Sequence, residues 1–96
     1  MGITFTERSL LNMLELEHAI VDEIVTCDCN IRFLNDRLVE IKKSDFRCDL
    51  YEHDILRYSK KIEEARARKN RECERLKSVR EDMREYFKEL MREAET

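Results

Sequence analysis

The side chains richest in chemistry are four cysteines, two histidines and the carboxylates beside them. Cys27 and Cys29 lie two apart, so on a helix they point to nearly opposite sides and cannot chelate one ion. Cys48 and Cys73 stand far apart and no C-x2-C knuckle is present. Cys27 and Cys48 therefore read as small residues of an apolar seam, and Cys29 as an exposed thiol. Glu15 and His18 have the E-x-x-H spacing from which di-iron sites are built on facing helices. Both fall away from the apolar seam described below, where a solvated pair is expected. His53 stands between Glu52 and Asp54 and reads as a solvated imidazole. The one glycine is Gly2, so no glycine loop can cradle a phosphate, and no nucleophile has both a base and an orienting group. The expectation is a non-enzymatic protein with no catalytic residue, no metal and no cofactor.

The elements that would position any of these residues are helices. Proline is absent and glycine stops at position 2, so the strongest helix breakers are missing beyond it. Charged residues make up 43% of the chain and are dominated by Glu, Arg and Lys, good helix formers. At "ITFTERSLL", Thr6 can act as N-cap, with Phe5 and Leu10 as a hydrophobic staple; Thr4 with Glu7 also fits a capping box. From there apolar residues recur at alternating spacings of three and four: Leu10, Met13, Ile20, Ile24, Cys27, Ile31, Leu34, Leu38 and Ile41, with Glu17 as an ionised intruder. Such a sustained seam signals a coiled coil.

A second seam runs through Cys48, Tyr51, Ile55, Tyr58, Ile62, Ala65, Lys69, Glu72, Leu76, Val79, Met83, Tyr86 and Leu90, out of phase with the first. Lys42 and Lys43 suit a helix end, and Ser44 or Asp45 suits a new cap. The fold expected is all-α: a single domain over 1–96, with helix 1 at about 6–43, a turn at about 42–45 and helix 2 at about 45–94. The alternatives are one continuous helix with a phase slip, or a second helix broken near Asn70.

In an antiparallel pair, opposed residue numbers add to a constant. A value near 86 sets Leu10 against Leu76 and Ile24 against Ile62, and it brings Glu17 to Lys69 as a register-fixing pair. Charge agrees with an antiparallel arrangement. Residues 7–28 hold six acids against Arg8, and residues 57–80 hold ten Lys and Arg against four Glu. The basic run "RARKNR" would then answer acids of the same chain.

That register leaves helix 2 overhanging from about residue 79 to Ala94, with Val79, Met83, Tyr86, Phe87, Leu90 and Met91 uncovered. Leu11, Leu14, Val21 and Val25 add a second apolar stripe on helix 1. Two helices cannot bury so much circumference, so association is expected. The expected partner is a second copy, giving a four-helix homodimer, or another helical protein. The function expected is protein–protein interaction, as a small adaptor, structural subunit or regulator. The alternative is a small inhibitor, of the kind viruses and phages encode, that blocks a target's surface.

Nucleic-acid binding through 57–80 is the weaker reading, since net charge is −3. "KNRECERLK" followed by Leu76, Met83 and Leu90 loosely resembles a basic-region leucine zipper. Glu72 and Glu74 stand where that family keeps small or basic residues, and Ser78 where it keeps a base. No apolar run reaches the ~20 residues of a membrane span. Four cysteines without a secretory signal fit reduced thiols in an intracellular protein, cytoplasmic or nuclear.

Overall fold

The computed structural model describes residues 2–43 and 49–95. Two helices, α1 (Phe5–Lys43) and α2 (Asp49–Glu95), fold back on each other as an antiparallel hairpin of 73 × 20 × 15 Å. At 1.5 Å per residue, the 47 residues of α2 account for about 70 Å, nearly the whole length. Helix α2 runs unbroken through Asn70. The chain is thus neither one continuous helix nor a three-helix bundle.

Helix α1 starts on a complete capping box. Thr4 Oγ1 accepts the Glu7 N–H at 3.1 Å, and the Thr4 N–H donates to Glu7 Oε2 at 3.2 Å. The first helical bond, from Arg8 N–H to the Thr4 carbonyl, is 3.0 Å. The cap is therefore Thr4, and the expectation of Thr6 is corrected. Thr6 lies inside the helix, buried, where its Oγ1 donates to Glu93 Oε1 of α2 at 3.2 Å. With the cap at Thr4, Phe5 sits two residues too late for a staple and is 80% exposed. Lys42 and Lys43 occupy the last turn of α1, beside its negative end.

The register differs from the expected one. Glu17 pairs with Arg80 at 3.0 Å and Lys69 with Asp28 at 2.6 Å, so the Glu17–Lys69 pair is not formed. Paired residue numbers add to 97 in both cases, to 91 for Glu23–Arg68 and to 99 for Thr6–Glu93. Long side chains reach along the axis and scatter these values. The facing helix ends, Lys43 and Asp49, add to 92, and Cys27 with Ala65 and Ile20 with Glu72, which line the same hollows, agree with that register. The expected alignment set Ile20 against Ala65 and Cys27 against Tyr58, at 85, so the register lies one heptad further on, which keeps every seam position in the seam while changing every partner.

The cause is where the helices stop. Helix α1 continues to Lys43 and α2 begins at Asp49, so the midpoint of the connection lies about three residues later than a turn at 42–45 would put it. Positions 42 and 43 are helical; 44–48, including the Ser44 or Asp45 cap and the seam position Cys48, lie outside the described residues. Each residue of displacement changes the register by two, so a shift of about three residues accounts for most of a heptad.

The expected overhang is consequently shortened to about its second half. Val79, Met83, Tyr86 and Leu90 are half-buried, and α1's Leu10 lines one groove with Met83 and Leu90. At a register of 92 the start of α1, Phe5, faces the level of residue 87, so residues 88–95 of α2 pass it. The core is thin: among the described residues, the buried apolar side chains are Ile20, Cys27 and Ile62.

Candidate interaction surface

Beside the seam, an antiparallel hairpin has two broad faces, each showing both helices. On one, Glu23 of α1 pairs with Arg68 of α2 across the groove. The hollows of this face are walled by polar Asn30, Lys61, Glu64, Arg68 and Arg75, by the exposed Leu16 and Phe33, and by seam residues. Glu72 lies in the seam beside Ile20 with only 16% of its side chain exposed, held by Arg75 at 3.3 Å. The sequence pattern already carried it at a seam position, but only Glu17 and Lys69 stood out there as intruders.

The opposite face is apolar toward the chain termini. Leu10 and Leu14 of α1 meet Met83, Phe87 and Leu90 of α2 around an open groove of about 620 Å³. Arg80 and Glu17 close one end of it as an ion pair, and Arg84 and Lys88 edge it. A second hollow continues past Ile3, Leu10, Leu11 and Leu90. Phe87 and Met91 are about half exposed, as are Leu11, Leu14 and Val25. Val21 is half-buried on the same helix side.

The structure therefore divides the ten apolar residues expected to bind a partner. Leu11, Leu14, Val25, Phe87 and Met91 are open, with Val21 partly so. Val79, Met83, Tyr86 and Leu90 are mainly seam, although Met83 and Leu90 also floor the groove. Leu10 joins the site from the seam, and Arg80 was missed because its partner Glu17 was assigned elsewhere.

Of the basic run, Arg68, Lys69 and Arg80 each pair with an acid of α1. Asp28 raises the Lys69 pKa through its hydrogen bond and its charge. Hydrogen bonds from Arg37 and then Arg57 lower that of the Tyr58 phenol, and the Arg57 guanidinium lies 5.4 Å from the Tyr58 ring centroid. His18 sits 3.4 Å from Asp22 on the surface. Cys27 is buried, while Cys29 and Cys73 are exposed. Among the described residues, no group of three or more His, Cys, Asp or Glu is placed to hold a metal ion. Among the described residues, no helix is long and apolar enough to cross a membrane. Comparison of the chain with protein-family models, curated proteins and solved structures finds no match.

Proposed function

We propose that this hairpin is a non-enzymatic coiled-coil protein that acts by protein–protein interaction, as a small adaptor, structural subunit or regulator. The observation that carries the reading is the apolar broad face, where Leu14 and Phe87 from different helices border one groove. The buried seam residues are covered within the chain, whereas these two are left about half exposed. Apolar side chains gathered on one face are favoured in contacts because each removes apolar area from water on docking. Phe and Met add area and adaptability.

The surface balance supports the same reading. A compact monomer of 11.7 kDa exposes about 5900 Å², whereas this chain exposes 7843 Å². The excess, about 1900 Å², is what an elongated molecule with a thin core leaves uncovered.

The test uses the full chain, its absolute mass by light scattering and its binding of an apolar dye. The expected result is either association above 11.7 kDa or strong dye binding by the monomer. Leu14→Glu and Phe87→Glu should reduce whichever is seen while far-UV circular dichroism stays helical. A monomer that binds no dye and ignores both substitutions overturns the proposal.

A further inference from the structure

The apolar face is uneven in charge across its width. Its α1 side carries Leu11, Leu14, Val21 and Val25, and the acids there are engaged. Glu7 closes the cap with Thr4, Glu17 pairs with Arg80, and Asp28 pairs with Lys69. Its α2 side carries open positive charge. Arg84 edges the groove. Lys77 lies one heptad before Arg84, and Arg66 two heptads before the groove's Arg80, so all three share that side of α2. They are exposed, and among the described residues none of the three side chains forms an ion pair or hydrogen bond. Glu81 stands within about one turn of both Lys77 and Arg84 and pairs with neither. Arg68, Lys69 and Arg80, by contrast, each meet an acid of α1.

We infer that the occupant of the apolar face is an amphipathic helix of another protein, with an apolar stripe bounded along one edge by carboxylates. This rests on the interaction reading above and gives the partner's chemistry. The stripe covers Leu11, Leu14 and Phe87, and the carboxylates fall along α2 on Lys77 and Arg84. From Phe87, level with Phe5, to Val25 the face is about 30 Å long, the length of a helix of about 20 residues. A second copy would bring the same face, whose acids are engaged and whose open charges are again positive. Its cations would repel these, whereas an acidic edge answers them.

The experiment measures which charge the face selects. Two fluorescent helical peptides of about 20 residues carry the same leucine stripe, flanked by Glu in one and by Lys in the other. Their binding to the full chain is followed by fluorescence anisotropy. The net charge of −3 favours the Lys peptide; the open cations of the face favour the Glu peptide. The expected result is that the Glu peptide binds about tenfold tighter, with the gap closing in high salt. Lys77→Glu with Arg84→Glu should reverse the order. Lys61→Glu, in a hollow of the opposite face, should leave it unchanged, and circular dichroism should show every chain helical. Equal binding, tighter binding of the Lys peptide, or an order that the double variant does not reverse overturns the acidic partner and leaves the interaction reading standing. Binding of neither peptide also overturns it. Mass and dye binding then decide the interaction reading separately: a dimer that binds no dye assigns the face to a second copy, and a monomer that binds no dye ends both.

Discussion

The two broad faces of this hairpin share one seam and the same two helices, yet they differ in what lies one position beside that seam. On one face Glu23 meets Arg68, and Arg75 holds Glu72. On the other, Leu14 and Phe87 stand open around a groove. The first joins charges in pairs across and beside the seam, and its exposed Leu16 and Phe33 stand among polar side chains. The second leaves apolar area in water and gains by covering it. The difference teaches that a helical hairpin chooses its docking face by the residues flanking the seam, because the seam itself is closed on both sides.

The sharpest way to break the comparison is to remove the seam on which both faces depend. Ile20 is 2% exposed and one of few buried apolar residues. Ile20→Ala is expected to cost about 2–5 kcal/mol, a large share of what so thin a core supplies. Thermal melting followed by circular dichroism measures it. If Ile20→Ala melted like wild type, the seam would not be the common foundation of the two faces.

The next effect separates the faces. Leu14→Gln with Phe87→Gln should lower apolar-dye binding and raise solubility. Glu23→Gln with Arg68→Gln on the other face should leave both properties near wild type. An exposed ion pair typically contributes below about 1 kcal/mol, so the second pair of substitutions should shift the melting temperature only slightly. Equal changes in dye binding from both double variants would mean that the faces are not chemically distinct.

Much of this was legible in the sequence, and the illegible part has one origin. Both helices, the fold-back, the seam membership of Ile20, Cys27 and Ile62, and the acid-to-base match of α1 with α2 follow from spacing and charge. The register does not, because a heptad pattern is unchanged by a slip of seven. Glu17 and Lys69 seemed to fix it, being intruders that could meet, but long side chains need not face each other in the seam. Glu17 reaches sideways to Arg80 and Lys69 to Asp28. What decides the register is where α1 stops and α2 starts, and no proline or glycine marks either point. Hence the groove's lining was half legible: Leu14 and Phe87 stand out by pattern, whereas Leu10 and Arg80 enter only once the heptad is known.

Charge reversal distinguishes the two registers with a smaller effect. Glu17→Arg and Arg80→Glu should each destabilise by about 1 kcal/mol or less, and together recover most of that loss. Glu17→Lys with Lys69→Glu should show no such recovery, because these positions are not partners. Denaturant midpoints of the seven chains, wild type and six variants, measure both cycles. Recovery in the second cycle and not the first would restore the alignment one heptad away.

The smallest effect is alkaline and has two opposing parts. Asp28 raises the Lys69 pKa above its ordinary value, chiefly by their hydrogen bond. A raised ammonium pKa stabilises the fold fully below the unfolded value, and this contribution disappears as pH climbs through the folded one. Tyr58 acts in the other direction. Arg37, then Arg57, lower its phenol pKa by hydrogen bonding, so its contribution is absent at neutral pH and grows as pH rises through the folded value toward 10 and above. Asp28→Asn removes the first part and Tyr58→Phe the second. Between pH 9 and 12, Tyr58→Phe should lose stability more steeply than wild type, and Asp28→Asn less steeply. Because both groups are solvent-exposed, added salt should shrink the two differences together. Persistence of either slope in high salt would mean that a buried group elsewhere in the hairpin carries the alkaline response.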